Sequence, residues 1–337
     1  MIASLAALSF GLSAMTMAEP AVIRAARVIQ CEAGDDKRPA VVTGVTMTPD
    51  GKTIAAATDD HRVTMWDVAT AEQKDHFDGH GDWVRSVVLS QDGNICASGG
   101  CDRAIRVWDV HQHHDVFEVP ACDNTVASVC FHPNSHQLAL VGFSNSLKII
   151  NTSTGQISQE LVCPGSDMRT VAFSPDGARM AVAGRNGKIR VWNVNNGTQE
   201  RDIDTDGRRI RTLGFSPDGA RIAAAGNSQS VRMIDIASGE TVFSLSTRPS
   251  MTFALLFLEN NRLATGGTDN RIWIWDLETR QAVTQLVGHT GTVASLACDR
   301  SGATLVSGSY DTTVRIWNLT AGSAPATASR GALDSAR

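Results

Sequence analysis

The sequence predicts an all-β fold built from seven copies of one structural unit. The residue that ends the third apolar run of each copy recurs at intervals of 42, 42, 42, 42, 41 and 42 residues. Within each copy, apolar residues alternate with polar ones over short runs, as expected of half-buried strands. Gly, Asp and Ser separate these runs and supply the backbone freedom that turns need. The repeated positions are Trp66, Trp108, Ile150, Trp192, Ile234, Trp275 and Trp317.

The turn between the first and second runs is also repeated. Proline presets its first dihedral angle, Asp accepts hydrogen bonds from nearby backbone amides, and Gly takes the left-handed position. Two copies lack this pattern, but the Asn residues of their turns can also visit the left-handed region. The turn occurs as 49–51, 91–93, 175–177 and 217–219, and the two variants are 132–135 and 259–261. Each of these copies therefore retains a hairpin signal.

Pairs of Trp-Asp and Gly-His mark several copies. They are Trp66-Asp67, Trp108-Asp109, Trp275-Asp276, Gly79-His80 and Gly288-His289. A period of about 40 to 45 residues with four short strands per unit is typical of a propeller blade. Through these pairs the sequence resembles the WD-repeat β-propeller family over residues 21–319. The resemblance implies an all-β, seven-bladed β-propeller of four-stranded antiparallel blades.

The last copy supplies only three strands before the pattern ends at Asn318. A ring left open there would expose an unpaired strand edge, so a fourth strand must come from elsewhere. Residues 21–30 (AVIRAARVIQ) are the one unassigned strand-like run. We therefore predict that this run pairs beside residues 313–317 and closes the last blade.

In the WD-repeat family, a hydrogen-bonded set within a blade links the His of Gly-His, a Ser or Thr on the second strand, an Asp in the next turn and the Trp of the third strand. Buried polar groups are tolerated when all of them are satisfied. No nucleophile elbow or oxyanion motif accompanies the set, so we interpret it as structural rather than hydrolytic. Carried over by position, the complete sets are His80, Ser98, Asp102 and Trp108, and His289, Ser307, Asp311 and Trp317.

Net charge and the apolar N-terminal segment limit which cellular compartment and which partners are expected for the protein. The net charge is -5, which disfavours nucleic acid as a partner. Residues 1–18 are apolar and resemble a secretory signal but are too short to span a membrane, so we expect either export or, alternatively, a cytoplasmic protein. The predicted organisation is a signal peptide at 1–18, a propeller at 19–319 and a disordered tail at 320–337. We expect a monomer or a subunit of a larger complex.

The resemblance places function on the face that carries the loops into the first strand and the turn before the third. Arg and aromatic side chains concentrate at these repeat positions, which is the composition of interaction hot spots. The predicted partner-binding residues are Trp83, Arg85, Phe143, Arg169, Arg185, Arg209, Arg211, Phe253 and Tyr310, with a preference for blades 4 and 5. The alternative is that some of these side chains pack between blades or onto neighbouring strands.

The predicted function is a non-enzymatic scaffold that binds an acidic or phosphorylated segment of a partner protein. No phosphate loop, metal cluster or activated nucleophile is present in the sequence, so we predict no catalytic residue, metal or cofactor. An alternative is an exported propeller that binds a small anionic ligand or performs hydrolysis at the channel mouth. Unpaired carboxylate and histidine side chains that converge around the central channel would favour that alternative. The run His111-Gln112-His113-His114 could hold a transition metal, but we interpret it as a solvated turn.

Cysteine usage leaves the redox state open. The seven cysteines include no CxxC pair, and an odd number leaves at least one outside any intramolecular disulfide. If the protein is exported, a disulfide between Cys101 and Cys122 is conceivable because adjacent blades meet there.

Overall fold

The computed structural model describes residues 19–33, 38–112, 114–119, 122–163, 165 and 167–320. The predicted signal peptide at 1–18 and residues 321–337 of the predicted tail lie outside the described residues. Within the described part of the chain, no helix is long and apolar enough to cross a membrane.

The strands form seven antiparallel sheets arranged as the blades of a propeller, which confirms the predicted fold. Blade 1 contains Val42–Met47, Thr53–Thr58, Val63–Asp67 and Gln73–Phe77, and blade 2 contains Val84–Leu89, Ile95–Gly100, Ile105–Asp109 and His114–Val119. Blade 3 contains Val126–Phe131, Gln137–Gly142, Ser146–Asn151 and Ile157–Val162, and blade 4 contains Met168–Phe173, Arg179–Gly184, Lys188–Asn193 and Gln199–Asp204. Blade 5 contains Ile210–Phe215, Arg221–Gly226, Ser230–Asp235 and Thr241–Ser246. Blade 6 contains Thr252–Leu258, Arg262–Gly267, Arg271–Asp276 and Gln281–Val287, and blade 7 contains Val293–Cys298, Thr304–Ser309 and Thr313–Asn318.

The core lies between the blades. The first strand of each blade contacts the first strands of both neighbours, and these contacts run unbroken round a central channel. Seven apolar clusters lie between the blades of the described structure. Each cluster joins the facing sides of two adjacent blades. Because each blade buries its faces only against its neighbours, the ring is stable only when every interface is formed.

The predicted hairpin turns form as expected. In blade 4 the Ser174 hydroxyl donates to Asp176 at 2.5 Å, and Gly177 takes a φ of +76°. The hydrogen bond from Ser174 holds the pKa of Asp176 below its usual range. In blade 6, Asn260 and Asn261 adopt φ values of +59° and +54°, the left-handed region predicted for them.

The N-terminal run forms two strands rather than one, and the second of them closes the ring. Arg27–Gln30 pairs antiparallel with Thr313–Ile316 and completes blade 7, as predicted. Ala21–Arg24 instead adds a fifth strand to blade 6, parallel to the end of its fourth strand. The run divides because its halves have different apolar partners: Ile23 packs on the cluster between blades 6 and 7, whereas Ile29 packs on the cluster between blades 7 and 1. A short hairpin of Glu32–Ala33 and Arg38–Pro39 then leads into blade 1.

Blade 7 contains a fully connected polar set. His289 Nδ1 donates to Asp311 at 2.8 Å, and the Ser307 hydroxyl donates to His289 Nε2 at 2.7 Å. Trp317 Nε1 in turn donates to the Ser307 oxygen at 2.8 Å, and the Thr313 hydroxyl donates to Asp311 at 2.6 Å. Since every side chain of the set is buried and bonded, the set joins the second and third strands of the blade to the loop that precedes the first strand.

Blade 2 contains the equivalent set with its own geometry. His80 Nδ1 lies 2.7 Å from Asp102, and His80 Nε2 lies 2.6 Å from the Ser98 hydroxyl. The Trp108 ring packs edge-on against His80, with centroids 5.9 Å apart. This arrangement has no substrate access, because Ser98 is fully buried beneath the histidine. The serine is therefore a structural hydrogen-bonding group.

We expect stability to fall as the pH is lowered from about 7.5 to about 5, in part through His289. Burial lowers the pKa of His289, so the unfolded chain takes up a proton that the folded protein does not. Its contribution is complete above the ordinary histidine pKa of about 6.5 and is lost as the pH falls toward the lowered pKa. Thermal melts of the wild type and His289→Gln across this range provide the measurement. An equal decline in both proteins would contradict the assignment.

Blades 3 and 5 are predicted to be the least stable, because Ile150 and Ile234 replace the indole that would bond within each blade. Both isoleucines are fully buried, so apolar packing alone holds these positions. We expect faster amide hydrogen exchange in their third strands than in those of blades 2 and 7. Native-state exchange measured by mass spectrometry or NMR tests this, and equal protection in all four blades would contradict it.

Candidate interaction face at the channel mouth

One face of the propeller brings together two sets of seven equivalent positions. In every blade, the backbone N–H of the residue that opens the second turn donates to the carbonyl of a residue ahead of the first strand, at 2.8 to 3.1 Å. The pairs, donor first, are Asp59 and Val41, Cys101 and Trp83, Phe143 and Thr125, Arg185 and Asp167, Asn227 and Arg209, Thr268 and Met251, and Tyr310 and Thr292. We call this surface the loop face. An added Cβ on Gly184 would lie 2.1 Å from the Asp167 carbonyl, so this close approach requires glycine.

A β-bulge at the start of each first strand creates a third set. The register with the second strand skips one residue there, which leaves that residue unpaired and redirects its side chain. The skipped residues are Thr43, Arg85, Ala127, Arg169, Arg211, Phe253 and Ala294. All seven line one cavity of about 230 Å³ at the mouth of the channel. The bulges therefore explain why these side chains converge.

Arg85 and Arg169 share one aromatic ring. The Arg169 guanidinium carbon lies 4.1 Å from the centroid of Phe143, and that of Arg85 lies 5.5 Å from the same centroid. Phe143 belongs to blade 3, between the blades that carry the two arginines. A guanidinium over an aromatic face gains cation–π attraction, and the contact also fixes its orientation.

The carboxylate of Asp167 balances part of the positive charge of the arginines at the channel mouth. It contacts Arg169 Nε through one oxygen, and its other oxygen lies 3.7 Å from Arg209 Nη2. Both arginines are half-buried, which reduces the screening of these contacts by water. One carboxylate is thus shared by two arginines, and their combined charge remains positive.

Arg211 is held on the other side of the mouth. Its Nε donates to Asn227 at 2.8 Å, and its guanidinium carbon lies 4.2 Å from the centroid of Phe253. Phe253 packs edge-on against Tyr310, with centroids 6.2 Å apart. Burial lowers the pKa of Arg211, and the charges of Arg209 and Arg169 lower it further. The arginines of blades 4 and 5 therefore repel one another at this position.

The remaining predicted residues form the rim. Trp83 is 49% exposed and Tyr310 is 45% exposed, while Arg185 is also exposed. Phe143 and Phe253 are half-buried beneath the arginines rather than free at the surface. The loop face thus has a polar, positively charged centre with two large aromatic side chains at its edge, the composition of an interaction hot spot.

Two family models match this chain. That of the IFT122 first beta-propeller covers residues 41–270, and that of the WD domain, G-beta repeat, covers residues 280–318. The chain belongs to the WD-repeat β-propeller family. Propellers of this family generally act as non-enzymatic platforms for protein interaction. The loop face is therefore the surface of a WD-repeat propeller.

Curated relatives match short stretches of this WD-repeat propeller. The U3 snoRNP-associated protein-like EMB2271 of Arabidopsis thaliana is 50% identical over 17% of the chain and 12% of its own length. The periodic tryptophan protein 2 homolog of Schizosaccharomyces pombe is 43% identical over 17% of the chain and 7% of its own length. The guanine nucleotide-binding protein subunit beta of the same yeast is 32% identical over 24% of the chain and 27% of its own length. The matched stretch thus spans at most about a quarter of each of these relatives.

In the part of the chain that the structure describes, no histidine or cysteine lines the cavity at the channel mouth. His111 Nε2 contacts Asn94 at 2.9 Å, while His113 is outside the described residues. Among the described residues, no group of His, Cys, Asp and Glu side chains is placed to hold a metal ion. All seven cysteines are free thiols, Cys101 and Cys122 included, and burial raises the pKa of Cys298 to about 11.

Proposed function

We propose that the loop face of this propeller binds a negatively charged segment of a partner protein, preferentially over blades 4 and 5. The observation that carries the proposal is the convergence of Arg85, Arg169 and Arg211 on one cavity from their bulge positions. Guanidinium groups pair with carboxylate or phosphate through two parallel hydrogen bonds, so a positive mouth selects an acidic or phosphorylated segment.

The rim supports a protein rather than a small molecule as the partner. Trp83 and Tyr310 together leave large aromatic area in water, and a peptide backbone crossing the mouth would bury it. An exposed aromatic side chain loses little conformational entropy on binding, because only two torsions become fixed. The arginines at the centre would then orient the partner peptide, and the aromatic side chains of the rim would bury apolar surface against it.

Hydrolysis at the channel mouth has less support. Its chemistry needs a general base, and the residues that line the cavity carry neither a carboxylate nor an imidazole within the described part of the chain. Nucleic acid remains a separate outcome, for which affinity would fall steeply as salt is raised. Binding of a small anion alone is tested below by competition.

A charge-reversal experiment tests the proposal. The double variant Arg169→Glu/Arg211→Glu is compared in quantitative pull-downs with Arg221→Glu/Arg262→Glu, which changes the same charge at two exposed arginines on the opposite end of blades 5 and 6. We expect the first variant to lose partner binding by at least about tenfold and the second to retain it, since charged hydrogen bonds contribute about 1.5–3 kcal/mol each. Circular dichroism and melting temperature verify that both fold. Equal binding by both variants would falsify the proposal.

A further inference from the structure

We propose that the cavity at the channel mouth is a site for one phosphate monoester, in which Arg85, Arg169 and Arg211 hold the phosphate of a phosphoserine or phosphothreonine. The inference rests on the proposed function, because it names the chemical group by which the partner segment is recognised. Three observations carry it: the fixed orientation of the arginines, their unbalanced charge and the size of the cavity.

The three arginines are oriented before any ligand binds. Phe143 supports Arg85 and Arg169, and Phe253 supports Arg211, whose Nε is also bonded to Asn227. Stacking occupies the flat face of a guanidinium and leaves N–H groups on its edge available to donate. A site prepared in this way loses little side-chain entropy when the anion enters.

In the described part of the chain, the positive charge of the arginines at the mouth exceeds the charge of the carboxylate paired with them. Asp167 forms ion pairs with Arg169 and Arg209, and among the described residues it forms none with Arg85 or Arg211. Within the described residues, the buried Nε atoms of Arg85, Arg169 and Arg209 have no hydrogen-bond partner, although Arg169 Nε forms an ion-pair contact with Asp167. Repulsion from Arg209 and Arg169, added to burial, lowers the pKa of Arg211. A multiply charged anion in the cavity would offset the charge of Arg85, Arg169 and Arg211, which line it, and would reduce this repulsion.

Size and charge favour phosphate over carboxylate. The cavity of about 230 Å³ is smaller than the roughly 300–1,000 Å³ of sites for drug-sized ligands, so it fits one functional group rather than a peptide. A phosphate monoester carries a charge of about -1.5 to -2 and three acceptor oxygens, which matches three arginines. A carboxylate carries one charge and two oxygens, and one arginine suffices for it. The peptide itself would lie outside the cavity, across Trp83 and Tyr310.

Fluorescence anisotropy with degenerate peptide pools tests the inference. Four pools share random flanks and differ at the centre, which is phosphoserine, phosphothreonine, serine or glutamate. We expect the full-length protein to bind a phosphorylated pool at least about tenfold more tightly than the serine and glutamate pools. Arg85→Gln, Arg169→Gln and Arg211→Gln should each remove at least about tenfold of that affinity, whereas Arg221→Gln should not. Inorganic phosphate should compete with the phosphorylated pools.

The outcomes separate this inference from the proposed function. If the glutamate pool binds as tightly as the phosphorylated pools and both depend on Arg169 and Arg211, the phosphate site is wrong while the acidic-segment proposal stands. If inorganic phosphate binds but no phosphorylated pool does, the site recognises a free anion and the inference is overturned. If no pool binds and the double charge reversal leaves partner binding intact, both proposals fail.

Discussion

Replacing Ile29 with alanine is expected to lower the free energy of unfolding by about 2–5 kcal/mol, the usual cost of truncating a buried isoleucine. Ile29 is 5% exposed and packs in the cluster that joins blade 7 to blade 1. Its strand also supplies the backbone partners for Thr313–Ile316. Because the ring needs every interface, weakening this strand lowers the stability of the whole propeller. Urea unfolding followed by tryptophan fluorescence measures the change.

Val28 provides a matched control within the same strand. It is 51% exposed, so Val28→Ala should cost less than about 1 kcal/mol. Removal of residues 1–30 should lower the melting temperature sharply relative to removal of residues 1–18, because only the longer deletion takes away the strand that completes blade 7, together with the strand added to blade 6. If the protein lacking residues 1–30 has the same melting temperature as the protein lacking residues 1–18, closure of the ring does not depend on residues 19–30.

Replacing Asp311 with alanine is expected to cost about 3–5 kcal/mol, because four donors lose their acceptor at once and three of them belong to buried residues. These are His289 Nδ1, the hydroxyl and the backbone N–H of Thr313, and the backbone N–H of the exposed Thr290. Burial alone would raise the pKa of Asp311, but the hydrogen bonds from His289 and Thr313 outweigh it and hold the pKa far below its usual range. The carboxylate is therefore charged in the folded protein, and its hydrogen bonds are charge-assisted.

Asp60 occupies the same repeat position in blade 1 and serves as the control. Its side chain accepts a hydrogen bond from Thr58, in a blade without a Gly-His pair. We expect Asp60→Ala to cost about 1 kcal/mol, the usual contribution of one hydrogen bond. Equal losses from the two substitutions in urea unfolding would show that the set in blade 7 contributes nothing beyond a single bond.

The propeller fold was predictable because the sequence repeats one blade-forming unit seven times. Strand alternation, turn chemistry and spacing agree in most copies, so the fold follows even where Ile150 or Ile234 replaces tryptophan. The need for a closing strand also followed from the missing fourth strand of blade 7. Its division into two was not predicted, because the sequence does not show which interfaces Ile23 and Ile29 fill.

The convergence of the arginines was only partly predictable. Repeat alignment assigned Arg85 and its equivalents to one face, but it did not reveal the bulges that turn them into the channel. A signal was present: buried Val84 and Val87 lie three residues apart, where simple alternation requires two or four. The stacking of two arginines on Phe143 of the intervening blade could not be predicted, because it depends on the distance between blades.

Photo-crosslinking from each face of the propeller tests the central claim most directly. A photoreactive amino acid replaces either Arg185, exposed on the loop face, or Asn260, exposed in a turn on the opposite end of blade 6. The loop-face account predicts that partner proteins crosslink from position 185 and that inorganic phosphate reduces their yield. Crosslinking from position 260 alone would contradict it.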